Sequence, residues 1–358
     1  MTTSTSTAAT KNAIKDPGQL LASLPYLLGF RPAESVVMLG HLVPRGTRLG
    51  LVLRADLPPD EHARQQAGHL AGRYAGPEFT AVTLVVIAGP GTRTHSPPHR
   101  LFVDLLTEAL AAVGRPVLHS IWTPEIAGGA RWGCYRDEDC GGVQPDGQST
   151  VAAAAITELG HVTFDSREEV EKLLEPRSKA TLARRSAMLT ALTDPPWGDQ
   201  DPIEAGSAEV RAALGRVSRG DHQLSDAQAV RLAVALSQTQ VRDACLGTAV
   251  PAGTSLARDA ETLWLTLVRE LPAPERAAAA CLAGYSAYAR GDGALAGMAF
   301  ENALEADPEY VMAQLLAACL DRALPPAKLA GLSMGSLFGG PGGLGEPQFR
   351  PGSPGGSE

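Results

Sequence analysis

Apolar positions change their period several times along the first half of the chain. Leu20, Leu21, Leu24, Leu27 and Leu28 share one face of a helix that Asp16 caps, Pro17 opens and Gly29 closes. Ser35–Leu39 and Leu49–Leu53 are short runs of strand formers joined by a longer loop, and they read as a hairpin at the edge of a sheet. Helical spacing returns from Pro58 to about Tyr74. A continuous apolar run at Ala81–Ala88 then reads as a buried strand, Pro98–Val113 as an amphipathic helix and Pro116–Trp122 as a further strand. Strand, helix, strand, helix, strand implies two crossovers, so the expected N-terminal fold is α/β: a small, mostly parallel sheet with an antiparallel edge hairpin, flanked by helices.

Strand signals then stop. Residues 128–142 read as a compact loop, Ser149 precedes an Ala-rich helix, and further helices are expected from Ser166 and over Lys179–Leu192. The stretch DPPWGDQDP at 194–202 is dense in turn formers and is the best internal boundary. Beyond it residues 207–322 read as helical hairpins, about Ala227–Leu246 with Ala257–Leu271 and then one pair of distinct spacing. Gly284, Ala296, Phe300, Ala303 and Pro308 fall at the intervals of the tetratricopeptide repeat, which this pair resembles; Pro274 stands 34 residues before Pro308 in a degenerate partner. The expected organisation is a disordered leader over 1–15, an α/β domain with helical extension over 16–192, a connection over 193–206, an all-α repeat-like domain over 207–324 and a disordered Gly/Pro-rich tail over 325–358. A repeat stack this short leaves an apolar end that needs cover, so the helices are expected to dock on the N-terminal domain.

Charge changes the picture by where it lies. Of the formal −8, residues 1–150 contribute nothing, with 13 basic and 13 acidic side chains, and residues 151–322 contribute all of it, with 16 and 24. Neither half offers the basic excess that bulk nucleic-acid or anionic-membrane binding requires. The chain has no secretory start and no apolar run of the roughly 20 residues a membrane helix needs, so a cytoplasmic location is expected. Cys245, Cys281 and Cys319 sit singly in helical apolar runs, as packed free thiols do.

Two literal motifs near the C-terminus lack their structural context. Gly340, Gly342 and Gly345 spell a dinucleotide fingerprint with no strand before it, and Gly331, Ser333 and Gly335 spell a hydrolase elbow that follows a helix. Cys134 and Cys140 form the one close cysteine pair, with Asp137, Glu138 and Asp139 between them. A metal site there needs two more ligands, for which His119 and His161 are the nearest histidines in sequence, so the pair is read as an inert loop; no metal and no cofactor is expected. The better candidate for a ligand is the rim formed by the carboxyl ends of the strands: Arg54, Asp56, Gly89, Gly91, Arg93 and Trp122. There Arg54 and Arg93 would hold a small anion, glycine amides would approach it, and Asp56 would orient a hydroxyl or act as base. The competing reading makes Arg54 and Asp56 a structural ion pair and the glycines a turn. His62 and His69, seven apart, read as solvated face residues.

Four stretches carry a resemblance to a known family: LLASLPYLLGFRPAESVV at 20–37, RADLP at 54–58, RW at 131–132 and ARGDGALA at 289–296. Over residues 16–325 the chain resembles an actinobacterial family known as domain of unknown function 4192. The resemblance implies a cysteine-bearing loop after the aromatic pair, where this chain has Gly141 and Gly142, and it implies no activity. The function expected from the sequence is protein interaction or scaffolding through the helical part, with an unidentified protein partner. The alternative is an enzyme or sensor binding a small anionic, nucleotide-like ligand at the strand ends; whether the chain is an enzyme is left open.

Overall fold

The computed structural model describes residues 2–4, 16–42, 49–89, 92, 96–150, 153, 163–322 and 324. The expected leader beyond residue 4, the Ala-rich helix after Ser149, His161, Gly91, Arg93, the two C-terminal motifs and the tail lie outside them.

One mixed sheet organises the N-terminal half. Its strands are β1 (Thr2–Ser4), β2 (Ser35–Leu42), β3 (Leu49–Asp56), β4 (Phe79–Ile87), β5 (Val117–Thr123), β6 (Arg131–Cys134) and β7 (Gly141–Val143), in the spatial order β1-β3-β2-β4-β5-β6-β7. Among the described strands only β4 and β5 are parallel neighbours, and every other pair is antiparallel. The expectation of a mostly parallel sheet is therefore corrected. The strand β2 lies between β3 and β4 and runs against both, with Ser35 opposite Asp56 on one side and Ile87 on the other. Seven of its eight residues are buried, as a central strand requires, so the hairpin β2–β3 is not an edge. The loop expected at 128–142 contains the hairpin β6–β7, whose three- and four-residue strands are too short and glycine-rich to show alternation.

Helices α2 (Ala63–Gly72) and α3 (Arg100–Ala112) make the crossovers β3-α2-β4 and β4-α3-β5. Both crossovers move the same way along the sheet, so crossovers of one hand lay both helices on one face. Ala63, Ala67, Leu70, Phe102, Leu106 and Leu110 pack there against Val36, Met38, Leu53, Leu84 and Val86. Tyr74 seals that layer, with its hydroxyl donating to the Met38 carbonyl at 2.9 Å.

The opposite face carries α1 (Pro17–Leu28). Asp16 caps it by accepting from the Gly18 and Gln19 amides, and Gly29 ends it at φ +80, where an L side chain is strained. Leu20, Leu21, Leu24, Leu27 and Leu28 are buried against Val37, Leu39, Val85, Ile87 and Ile121.

The remaining described elements are helical: α4 (Arg167–Glu171), α5 (Lys179–Thr190), α6 (Pro202–Val217), α7 (Asp226–Ser237), α8 (Thr239–Leu246), α9 (Ser255–Glu270), α10 (Arg276–Ala289), α11 (Gly293–Ala306) and α12 (Val311–Asp321). The single helix expected at 227–246 is two, because Gln238 takes an extended backbone conformation, φ −74 and ψ 113, between them. In the hairpin α10–α11, Gly284 lets the helices touch: a Cβ there would stand 2.5 Å from the Phe300 ring. The helices do not build a separate interior. The sheet face, α1, Val170, Leu174, Trp197 and α6 to α12 belong to one continuous core, so the helical part is docked as its uncovered apolar end required.

Candidate functional site

The strands β3, β4 and β5 end along one edge of the sheet, beside the start of β2. Arg54 and Asp56 pair there, Nη1 to Oδ1 at 2.5 Å. Arg54 also donates from Nη2 to the Ala33 carbonyl at 3.2 Å, and its side chain is 10% exposed, with Nε unpartnered among the described residues. Burial lowers the pKa of this guanidinium, opposed by Asp56 and reinforced by the neighbouring Arg167 charge. The Gly89 amide donates to the Pro124 carbonyl at 3.0 Å and is not offered to a ligand. Its φ of +101 and the Glu34 carboxylate, 3.0 Å from where a Cβ would lie, explain the glycine as a turn requirement. Trp122 turns away, covering Gly133 and packing with the layer of α2 and α3. Three strand spacings, roughly 14 Å, separate β3 from β5. Of the expected rim residues that are described, Arg54, Asp56, Gly89 and Trp122 thus share an edge, with Arg54 turned to Asp56 and the Gly89 amide to Pro124.

What converges is the turn between α1 and β2. Its backbone takes a second neighbour: the Phe164 amide donates to the Gly29 carbonyl at 2.9 Å, and the Arg31 amide donates to the Phe164 carbonyl at 3.0 Å. Glu34 holds a left-handed conformation at φ 43, uncommon outside glycine, and its carbonyl accepts from Leu57. A Cβ at Gly29 would lie 3.6 Å from Asp292 Oδ2, so ARGDGALA abuts the same turn. The RADLP stretch reaches it through Arg54 and Leu57, whereas the RW stretch lies on β6, its Arg131 carbonyl 3.1 Å from the hydroxyl of Thr123 at the end of β5. Three of the four stretches singled out in the sequence therefore meet at residues 29–34, and the fourth, RW, lies three strands along the sheet from β2.

Two cavities flank Phe164 at this junction. The first, of about 390 Å³, is polar and includes Tyr26, Arg31, Gln144, Asp146, Gln148 and Asp165 in its wall. Arg31 is held at its mouth by the Ile126 carbonyl at 3.3 Å and by Asp165 at 3.5 Å. Gln144 is 2% exposed. Its amide nitrogen donates at 2.8 Å to the Glu125 carbonyl, which can only accept, and at 2.8 Å to Thr123 Oγ1. The network therefore fixes the amide orientation and leaves Oε1 as a buried acceptor with no partner among the described residues. The second cavity, of about 310 Å³, lies towards α9 to α11 and is more apolar, with Leu173, Leu265 and Leu295 in its wall. Its charged groups are satisfied: Arg290 pairs with Glu261 at 3.0 Å and with Asp292 at 2.9 Å.

The cysteine pair gains a third neighbour that spacing alone did not select. His119 on β5, Cys134 at the end of β6 and Cys140 before β7 bring their ligand atoms within 4.8 Å of one another, with Cys140 Sγ 3.5 Å from His119 Nε2. The Cys134 thiol is buried, and all five cysteines are free. Burial lowers the His119 pKa, with help from the Arg136 charge, and so favours neutral imidazole. Burial, the Cys134 sulfur and Asp137 raise the Cys140 thiol. His62 and His69 are exposed, as expected, and line a shallow groove with Arg54 and Arg73. Sequence reasoning missed Tyr26, Gln144, Asp146 and Asp165; no residue-type pattern marks them, because the turn at 29–34 and the segment at 163–165 meet only in the fold.

A family model described as "Domain of unknown function (DUF4192)" matches residues 17–327. No curated protein and no solved structure is significantly similar to the chain.

Proposed function

The chain belongs to the DUF4192 family, and for this member we propose that the polar cavity at the strand ends binds a small ligand. The carrying observation is a polar cavity of about 390 Å³, of small-molecule size, whose wall brings together Tyr26, Arg31, Gln144, Asp146 and Asp165. Arg31 supplies a donor at the mouth, Asp146 and Asp165 supply acceptors, and Tyr26 supplies an aromatic edge. One cation against two carboxylates disfavours a polyanion such as a triphosphate. The ligand class supported is a compact polar molecule with N–H or O–H donors for Asp146 and Asp165 and a single carboxylate or carbonyl for Arg31. Nothing in this arrangement requires chemistry on the ligand, so the reading is binding or sensing.

The test is a thermal-shift screen of metabolites on the full chain, in which a ligand at 100 times its Kd adds about 2.7 kcal/mol to stability. A binder should lose about tenfold in affinity with Arg31→Ala, worth roughly one net hydrogen bond. Uniformly flat shifts across a broad collection sink the proposal.

A protein-interaction role for the helices is the second reading. The tetratricopeptide-like spacing supports it, together with Val311 and Leu315, one turn apart on α12 and 63% and 62% exposed. Its weight is reduced because the other apolar end of the stack is spent on the sheet. Affinity capture with the chain and with a Val311→Asp, Leu315→Asp variant as baits decides it: identical partner lists from the two baits remove that face from consideration.

A further inference from the structure

We propose that His119, Cys134 and Cys140 form a binding site for a thiophilic divalent cation of tetrahedral preference, Zn²⁺ by the chemistry of the donors. The sheet register makes the site. His119 and Ile121 are two apart on β5 and share a face, Cys134 lies directly opposite Ile121 on β6, and Cys140 returns to the same place as the chain enters β7. Three segments thus deliver one imidazole nitrogen and two sulfurs to a space in which all three lie within 4.8 Å of one another. Around a tetrahedral zinc with bonds of about 2.3 Å to sulfur and 2.05 Å to nitrogen, ligand atoms stand roughly 3.5–3.8 Å apart. The separation of Cys140 Sγ from His119 Nε2, 3.5 Å, already matches.

The donor set also selects the ion. Two thiolates and an imidazole are poor ligands for Mg²⁺ or Ca²⁺, which prefer oxygen. It is the one such grouping among the described residues. Each cysteine gives up its thiol proton to solvent on binding, and no redox change is involved. No Asp or Glu among the described residues joins the three ligand atoms, so water is the expected fourth ligand. A cation there ties the short β6–β7 hairpin to β5, an element with little core of its own.

Titration of the reduced full-length protein with Co²⁺ tests the proposal. The expected result is about one equivalent bound, with the sulfur-to-cobalt charge-transfer absorption and intense visible bands of a tetrahedral thiolate site, displaced by Zn²⁺. His119→Ala, Cys134→Ser and Cys140→Ser should each weaken binding by more than about tenfold, whereas Cys319→Ser, a thiol on α12, should not. Circular dichroism on each variant separates ligand loss from misfolding, and Cys140→Ser, at a turn, is the variant least exposed to that ambiguity. Binding retained in all three site variants, a spectrum of octahedral oxygen ligation, or no uptake by protein with all thiols titratable would each overturn it.

Discussion

At Gly284 the missing side chain is the contact. A Cβ would meet two Phe300 ring carbons at 2.5 and 2.6 Å, inside any tolerable separation, while the residue itself is fully surrounded by α10 and α11. Gly284→Ala therefore gains helix propensity yet forces the hairpin apart, with an expected net loss of about 1–3 kcal/mol from overpacking. Urea denaturation measures it, and Phe300→Leu in the same chain should recover part of the loss; additive losses would place the strain elsewhere. This residue was legible from the repeat spacing, because small-against-large packing leaves a fixed interval in sequence. The Asp16 cap and the Gly29 stop were legible for the same local reason. Gln144 was not: its significance is an acceptor left over after its nitrogen is fixed by Thr123 and Glu125, and a leftover bond has no composition. Arg54 and Asp56 were read as either ligand groups or a structural pair, and their 2.5 Å contact favours the pair.

Among the elements, Arg185 on α5 ties three helical segments together. Its side chain is 3% exposed, and it donates to Asp226 at the start of α7 at 2.8 Å, to the Glu270 carboxylate at the end of α9 at 2.5 Å, and to the Leu224 and Glu270 carbonyls. Arg185→Met leaves the largely buried Glu270 carboxylate with Arg177 alone, at 3.5 Å, and uncaps α9, so stability should fall by about 2–3 kcal/mol. The pH dependence carries a distinct signature. Hydrogen bonds from Arg185 and then Arg184 hold the Asp226 carboxyl below its ordinary range. A depressed carboxylate contributes stability that is complete above its unfolded value of about 3.9 and is lost as pH falls through its folded value. Acid unfolding curves should thus be flatter below about pH 4 in Arg185→Met than in the parent; parallel curves would show that Asp226 is not coupled to Arg185. Element types were largely readable from periodicity, whereas their neighbours were not. The run SVVMLG at the start of β2 is apolar on both faces, which is the signature of a central strand. Reading it as one arm of an edge hairpin put the sheet's antiparallel part in the wrong place. The strands β6 and β7 escaped because three or four residues cannot establish a period of two.

For the molecule as a whole, the decisive fact is that sheet and helices share one interior. Leu24 and Leu28 of α1, Val85 and Ile121 of the sheet, and Leu263, Trp264 and Phe300 of the helices belong to the same buried cluster. The connection from Asp194 to Pro202 contributes to it, since Trp197 is 9% exposed and packs into that cluster. It ends in Asp201, whose carboxylate caps α6 by accepting from Ile203 at 3.0 Å and Glu204 at 2.9 Å. A stretch rich in Pro, Gly and Asp is nonetheless what a free linker also looks like, because turn formers report the path of the backbone and not what covers it. The two possibilities part under proteolysis. A free linker is cut first and releases two folded pieces, whereas a connection pinned by Trp197 is protected until the shared core opens. Thermolysin treatment of the native chain should therefore cut 194–202 no faster than the flanking helices, and Trp197→Ala, by leaving a cavity in the cluster, should lower the unfolding midpoint and speed cleavage there. Fragments 1–193 and 203–358 made separately should each lose cooperative unfolding, since each exposes half of a common core. Two soluble fragments with their own sharp transitions would show instead that the junction at Phe164 is a contact between finished domains, and the cavities there would have to be re-examined as a hinge.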